Sequence, residues 1–259
     1  MLAFLAASAR AQQAKKTGSS VSELSIEFPL PGGSAGHGII FAAQGSGREQ
    51  PAVVVVPDSP RERIDAEVRA LSKLLAARGL EVLEISTTGT NIPVEAVLGA
   101  AGYLSSPGQA NSRRIGILGY GWGGHAALSA VALSSETWSA AVSVGGVSDL
   151  YVHYRLTREL PPETPDSQAA LWKEKPQLLE GIFPVQALET VRAPILLFHG
   201  TDDARVPRQE SDRLYARLLQ RRVSVGLILY PKEGHAFARA QNRNDFHRRV
   251  AEFFDKKLR

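Results

Sequence analysis

No cysteine occurs among the 259 residues, which excludes disulfides, thiolate metal sites and a thiol nucleophile together. Aromatic residues are sparse at 7%, with three Trp, and there is a single Met. No apolar run approaches the roughly 18 residues that a membrane span needs. A phosphate-binding glycine loop followed by Lys, a dinucleotide fingerprint and a metal-ligand cluster are all missing, so neither cofactor nor metal is expected. Charge of one sign is missing as well: 30 Lys and Arg against 26 Asp and Glu leave a net +4. The arginines are scattered over several predicted helices rather than gathered among aromatics, so nucleic acid is not an expected partner. What is present is a 44% hydrophobic fraction, enough for one large core, and α/β folds often reach this length as one domain.

The first 22 residues read apart from the rest. Leu2 to Ala7 is a short apolar run, and Ala7-Ser8-Ala9 and Ala9-Arg10-Ala11 both fit the small-x-small pattern that signal peptidase reads. The basic segment that normally precedes such a run is lacking. Two readings stand: a signal-peptide remnant and linker of a secreted or periplasmic protein, or a tail on a cytoplasmic one.

From residue 23 to 259 the pattern is that of one α/β domain. Val21 to Leu30 and Gly38 to Ala42 predict a hairpin, and Ala52 to Pro57 is a continuous β-branched run suited to a strand covered on both faces. Ile64, Val68, Leu71 and Leu75 share one face of a helix predicted over 61–78 and ended by Gly79. Strands are then predicted over 81–86, 115–120, 140–144, 194–199 and 223–230. Helices are predicted over 93–104, 123–133, 208–221 and 245–258, with Leu214, Leu218 and Leu219 inward on the third and Phe246, Val250, Phe253 and Phe254 on the fourth. Such alternation predicts a mostly parallel central sheet with helices on both faces. Residues 148–191 break it with scattered Pro and aromatics, and read as a lid-like excursion or as a plain structural connection.

Loops at the carboxyl ends of parallel strands converge on one edge, so residues just after strands are the ones to inspect. Gly119-Tyr120-Gly121-Trp122-Gly123-Gly124 follows the 115–120 run. It has the shape of a nucleophile elbow, a strand turning sharply into a helix, in which the pattern G-x-S-x-G places a reactive Ser or Cys at the centre. Here that centre is Gly121, with no side chain at all. Asp203 follows the 194–199 strand and His235 the 223–230 strand, giving the chain order elbow, acid, histidine. Asp203 would fix the tautomer of His235 and stabilise its protonated form.

These three stretches resemble the α/β-hydrolase superfamily. The elbow is similar to that of the dienelactone hydrolases. His199-Gly200-Thr201-Asp202-Asp203-Ala204-Arg205-Val206-Pro207 and Tyr230-Pro231-Lys232-Glu233-Gly234-His235-Ala236-Phe237 are similar both to them and to the catalytic domain of the prolyl oligopeptidase family. The resemblance implies acyl bond hydrolysis, of an ester or a peptide, with Asp203 as acid, His235 as base and Gly121 in the nucleophile's place. It implies oxyanion donors at the backbone N–H of Trp122 and at Asp58 or Ser59. Ser59 is also the best substitute hydroxyl. A glycine at 121 leaves room for a water that His235 could deprotonate, so weak, water-mediated or lost hydrolysis of a small acyl or ester substrate is one expectation. A non-catalytic binding or regulatory protein is another, and a chain whose natural Ser or Cys was replaced is the third. Tyr120, Trp122, His125 and His199 read as packing residues, and His37, His153 and His247 show no partner.

Overall fold

A computed structural model describes residues 21–30, 33–43, 50–58, 65–86, 94–107, 110, 114–157 and 185–259. The signal-like run, Ile64, Ser59 and most of the 148–191 excursion lie outside them.

Eight strands form one sheet: β1 (Val21–Pro29), β2 (Ala35–Ala43), β3 (Ala52–Val56), β4 (Glu81–Ile85), β5 (Ile115–Tyr120), β6 (Ala140–Val144), β7 (Ile195–Gly200) and β8 (Val225–Tyr230). Their spatial order is β1-β2-β4-β3-β5-β6-β7-β8. The first two are the expected hairpin, and β2 meets β4 antiparallel. Every later pairing is parallel. The helices are α1 (Asp65–Ala77), α2 (Val94–Leu104), α3 (Trp122–Leu133), α4 (Leu150–Thr157), α5 (Gln209–Gln220) and α6 (Ala240–Leu258). α4 and a 3-10 turn at Val185–Thr190 are the described parts of the excursion.

The strands are apolar on both faces because both faces are covered. In β3, Ala52, Val54 and Val56 join a core with α2, α3 and α5, while Val53 and Val55 join a second core with α1 and α6. Each fully buried valine contributes about 1.5–3 kcal/mol. Val68, Leu71 and Leu75 face that second core as their spacing predicts, and Gly79 takes the left-handed conformation, φ 84°. One helix face needs correction. Leu214 and Leu218 are buried, but Leu219 is 48% exposed, since a residue one step along a helix is rotated about 100° away from its neighbour.

The chain reverses its direction of growth at β3, which lies between β4 and β5. Open parallel sheets place their sites beyond strand ends at such a reversal. The β3–β5 register pairs Val56 with Gly119, so two residues further on Asp58 and Gly121 come out side by side at the same edge. α3 can start that close to the sheet only because Gly119 and Gly123 lack side chains. A Cβ on Gly119 would overlap the Gly123 carbonyl and come within 2.7 Å of Gly124 Cα. Gly119→Ala is therefore expected to cost about 3 kcal/mol, as overpacking against backbone does. Urea denaturation measures this, and a loss below about 1 kcal/mol would contradict the tight elbow.

Candidate active site

The elbow is built as its glycines require. Gly121 sits at φ 51° and ψ −116°, a backbone that favours glycine, and its N–H donates to the Val144 carbonyl at 2.9 Å. Trp122 opens α3, so its N–H is one of the donors that a helix start leaves free. Its indole packs edge-on against His153 at 5.4 Å and His125 at 6.1 Å between ring centroids. His125 is buried, with Nδ1 at 3.1 Å from the Val147 carbonyl oxygen. Tyr120 packs on the other side of the sheet, edge-on to Phe246.

The acid is held by its own turn. Asp203 Oδ1 accepts from the N–H groups of Arg205 and Val206, both at 2.9 Å, as a carboxylate opening a turn does. That leaves Oδ2 for the histidine. His199, expected to be structural, is fully buried, with Nε2 at 2.8 Å from the Val206 carbonyl oxygen and Nδ1 at 2.7 Å from Ser211 Oγ. Its Nε2 also lies 3.4 Å from Asp203 Oδ2.

The histidine loop is fixed from below by Glu233, which is almost wholly buried. Its carboxylate accepts from Ala238 N–H at 2.7 Å, Arg239 N–H at 3.1 Å and Asn242 Nδ2 at 2.6 Å, which ties the loop to the start of α6. Asp202 N–H donates to the Glu233 carbonyl at 2.9 Å. A side chain on Gly200 would collide with the Glu233 and Gly234 carbonyls, so that glycine lets the acid and histidine loops touch. His235 Nδ1 is consequently 2.7 Å from Asp203 Oδ2. The expected pair meets.

The surprise lies on the other ring nitrogen. His235 Nε2 is 3.1 Å from Asp58 Oδ2. Trp122 N–H donates to Asp58 Oδ1 at 2.9 Å, and Arg205 Nη1 reaches Asp58 Oδ2 at 2.9 Å. The side chain of Asp58 is only 1% exposed. A Cβ placed on Gly121 would lie 2.6 Å from Asp58 Oδ2 and closer still to Oδ1 and Cγ. The room expected beside the empty elbow is thus filled by the Asp58 carboxylate rather than left for a water. Asp58 enters the site through its side chain, as an acceptor, a role additional to the backbone donor that the resemblance implies. Ser59, the other candidate donor and hydroxyl, lies outside the described residues.

Charge follows from this contact pattern. Burial would lower the His235 pKa, but hydrogen bonds and charge from Asp203 and Asp58 outweigh it and push the imidazole up to about 9. Burial would raise Asp58. The hydrogen bond and charge of His235, the Arg205 guanidinium and the Trp122 amide instead hold it below the ordinary carboxylate range. Asp203 is likewise held well down against burial, by His199 and His235. These contacts favour an imidazolium between two carboxylates, with a guanidinium on the second.

The missed participants are the Asp58 carboxylate and Arg205. Both stand within segments already singled out, and the usable signal was an acid at the end of a strand beside an elbow with no side chain. Glu210 is a further one: wholly buried, its Oε2 accepts from Ser148 Oγ at 2.6 Å and from the N–H groups of Ser148 and Asp149. Its Oε1 lies 3.6 Å from His153 Nδ1, and the His153 ring packs edge-on against Trp122. Among the described residues no cluster fit for a metal ion occurs, and no helix is long and apolar enough to cross a membrane.

An eight-stranded, mostly parallel sheet with an elbow, an acid and a histidine after β5, β7 and β8 defines an α/β-hydrolase fold. A family model described as the prolyl oligopeptidase family matches residues 75–259, and the chain belongs to that family. It is 26% identical over 234 residues to dipeptidyl peptidase family member 6 of Caenorhabditis elegans, covering 81% of this chain and 31% of the relative. It is 24% identical over 178 residues to the inactive dipeptidyl peptidase 10 of Rattus norvegicus, covering 68% of this chain and 22% of that one. The chain thus spans less than a third of these relatives' length. Among solved structures, a Mycobacterium tuberculosis puromycin-hydrolyzing peptidase superposes with a TM-score of 0.75 at 22% identity, over 99% of this chain and 41% of that one.

His235 is bound as the cation, so its raised pKa adds stability that is fully present below about pH 6.5 and lost as pH rises through about 9. The groups facing it are Asp58, Asp203 and, beyond them, Arg205 and His199. Urea midpoints are expected to fall over that window in the wild type, and not in His235→Gln. A wild-type midpoint that follows the variant's throughout would contradict the buried imidazolium.

Proposed function

We propose that this chain is a non-hydrolytic member of the prolyl oligopeptidase family that keeps the triad's acid and base as architecture and uses the site above Gly121 to bind. The observation that carries this reading is the Asp58 carboxylate. It lies where a nucleophile's Oγ would project, and it uses the N–H of Trp122 that would otherwise receive a substrate's carbonyl oxygen. An acyl transfer enzyme needs a nucleophile, a neutral base and a free oxyanion donor. Here Gly121 offers no nucleophile, His235 has a carboxylate at each ring nitrogen, which favours its protonated form, and the donor is engaged. A relative described as inactive supports the reading, since it shows loss of activity alongside sequence similarity to this chain.

Weak hydrolysis is the second reading, and the intact 2.7 Å contact between His235 and Asp203 favours it. In that reading activity rises with pH as His235 loses its proton, with Asp58 drawn aside and a water attacking an activated ester.

The test is a set of four proteins assayed with p-nitrophenyl esters and aminoacyl anilides: wild type, Gly121→Ser, Asp58→Ala, and the two substitutions together. Gly121→Ser alone is expected to stay inert, because its Cβ meets the Asp58 carboxylate. Asp58→Ala alone clears the space and supplies no nucleophile. The double variant is expected to gain at least about 10³-fold, the scale on which a triad's nucleophile acts, and to lose the gain when His235 is also replaced. Wild-type hydrolysis that disappears in His235→Ala would instead establish the water route.

A further inference from the structure

We infer that the donors closed on Asp58 form a carboxylate-binding site, with Asp58 as its built-in occupant and a small external carboxylate as the ligand that exchanges with it. The inference rests on the non-hydrolytic reading above and names the ligand class.

Three unlike donors converge on one side chain. The Trp122 amide takes Oδ1 at 2.9 Å, while His235 Nε2 at 3.1 Å and Arg205 Nη1 at 2.9 Å share Oδ2. Both oxygens of a planar anion are therefore engaged from different directions, which selects a carboxylate over a spherical ion. Charge points the same way. With Asp58 in place, two cations face two carboxylates, His235 and Arg205 against Asp58 and Asp203. With Asp58 swung out, His235 and Arg205 lose the carboxylate oxygen they share, and an incoming carboxylate restores both contacts.

The space belongs to the site rather than to Asp58 alone. It exists because position 121 has no Cβ, and any side chain there would intrude on the carboxylate seat. Arg205 is the least buried of the groups contacting Asp58, its side chain 29% exposed while that of Asp58 is 1% exposed. A carboxylate arriving from solvent meets Arg205 first and then the imidazolium and the amide. Asp58 leaves by side-chain rotation just past the end of β3, giving up its contacts to Trp122, His235 and Arg205 with no covalent bond made or broken.

The experiment uses the full chain and sodium acetate as probe, with sodium chloride at equal ionic strength as control and a free-acid N-acetyl peptide beside its C-terminal amide. Binding is read by calorimetry and by the Trp122 amide resonance. Asp58→Ala is expected to bind acetate at least about ten-fold more tightly than the wild type, where the internal carboxylate competes. Chloride should not substitute, and adding Arg205→Ala should remove most of the gain. In the wild type, saturating acetate should move the Trp122 amide resonance, and the free-acid peptide should do so where its amide does not. If Asp58→Ala loses its far-UV signal of folding, Asp58→Ser is read in its place, and the wild-type arm stands regardless. A folded variant that binds acetate no better than wild type, or equally well without Arg205, would overturn the proposal. So would a wild-type amide resonance that ignores every carboxylate. Acetate binding accompanied by wild-type ester hydrolysis would sink the non-hydrolytic reading and leave the anion site. Neither binding nor hydrolysis would do the reverse.

Discussion

One buried carboxylate organises this site. Asp58 accepts from an amide, an imidazolium and a guanidinium that come from three separate strand ends, so it couples the elbow, the histidine loop and the acid turn. Such a contact is stable only when it is complete. Hydrogen bonds to charged groups are worth about 1.5–3 kcal/mol each when made, and stranding a buried partner costs more than that. The elbow's missing side chain and the acid beside it are thus two halves of one arrangement, because the volume a serine would need is the volume the carboxylate uses.

The rest of the fold serves to bring these ends to one edge. Parallel pairing from β3 to β8 aligns the carboxyl ends, and the strands are buried between helices on either face. Glycines set the close approaches, at 119 and 123 for the elbow and at 200 for the contact between the acid and histidine loops. Glu233 and Glu210 are buried acids of a different kind, each accepting from backbone N–H groups, and they anchor the histidine loop and the segment after β6. Here the strand ends that carry the elbow, the acid and the histidine meet in one ionic cluster.

Much of this could be read from the residues in order. Continuous β-branched runs, the 3.6-residue spacing of Val68, Leu71 and Leu75, and the three stretches around Gly121, Asp203 and His235 carry local information, and local information survives in sequence. The meeting of Asp58 with Gly121 depends on which strand lies beside β3. The two positions are 63 residues apart in number, and only the Val56–Gly119 register makes them neighbours. Nothing in the composition of Val56-Pro57-Asp58 states that pairing. Leu219 was misplaced for a simpler reason: a run of two leucines fits the apolar stripe equally well from either position, and the helix phase admits one.

The central claim is that His235 is a cation held on both sides, and proton NMR at neutral pH tests it most directly. Two low-field ring N–H resonances are expected from His235, the Nδ1 proton sensitive to Asp203→Asn and the Nε2 proton abolished or shifted upfield by Asp58→Ala. A single low-field resonance, with Nε2 carrying no proton and Asp58→Ala without effect, would contradict the account.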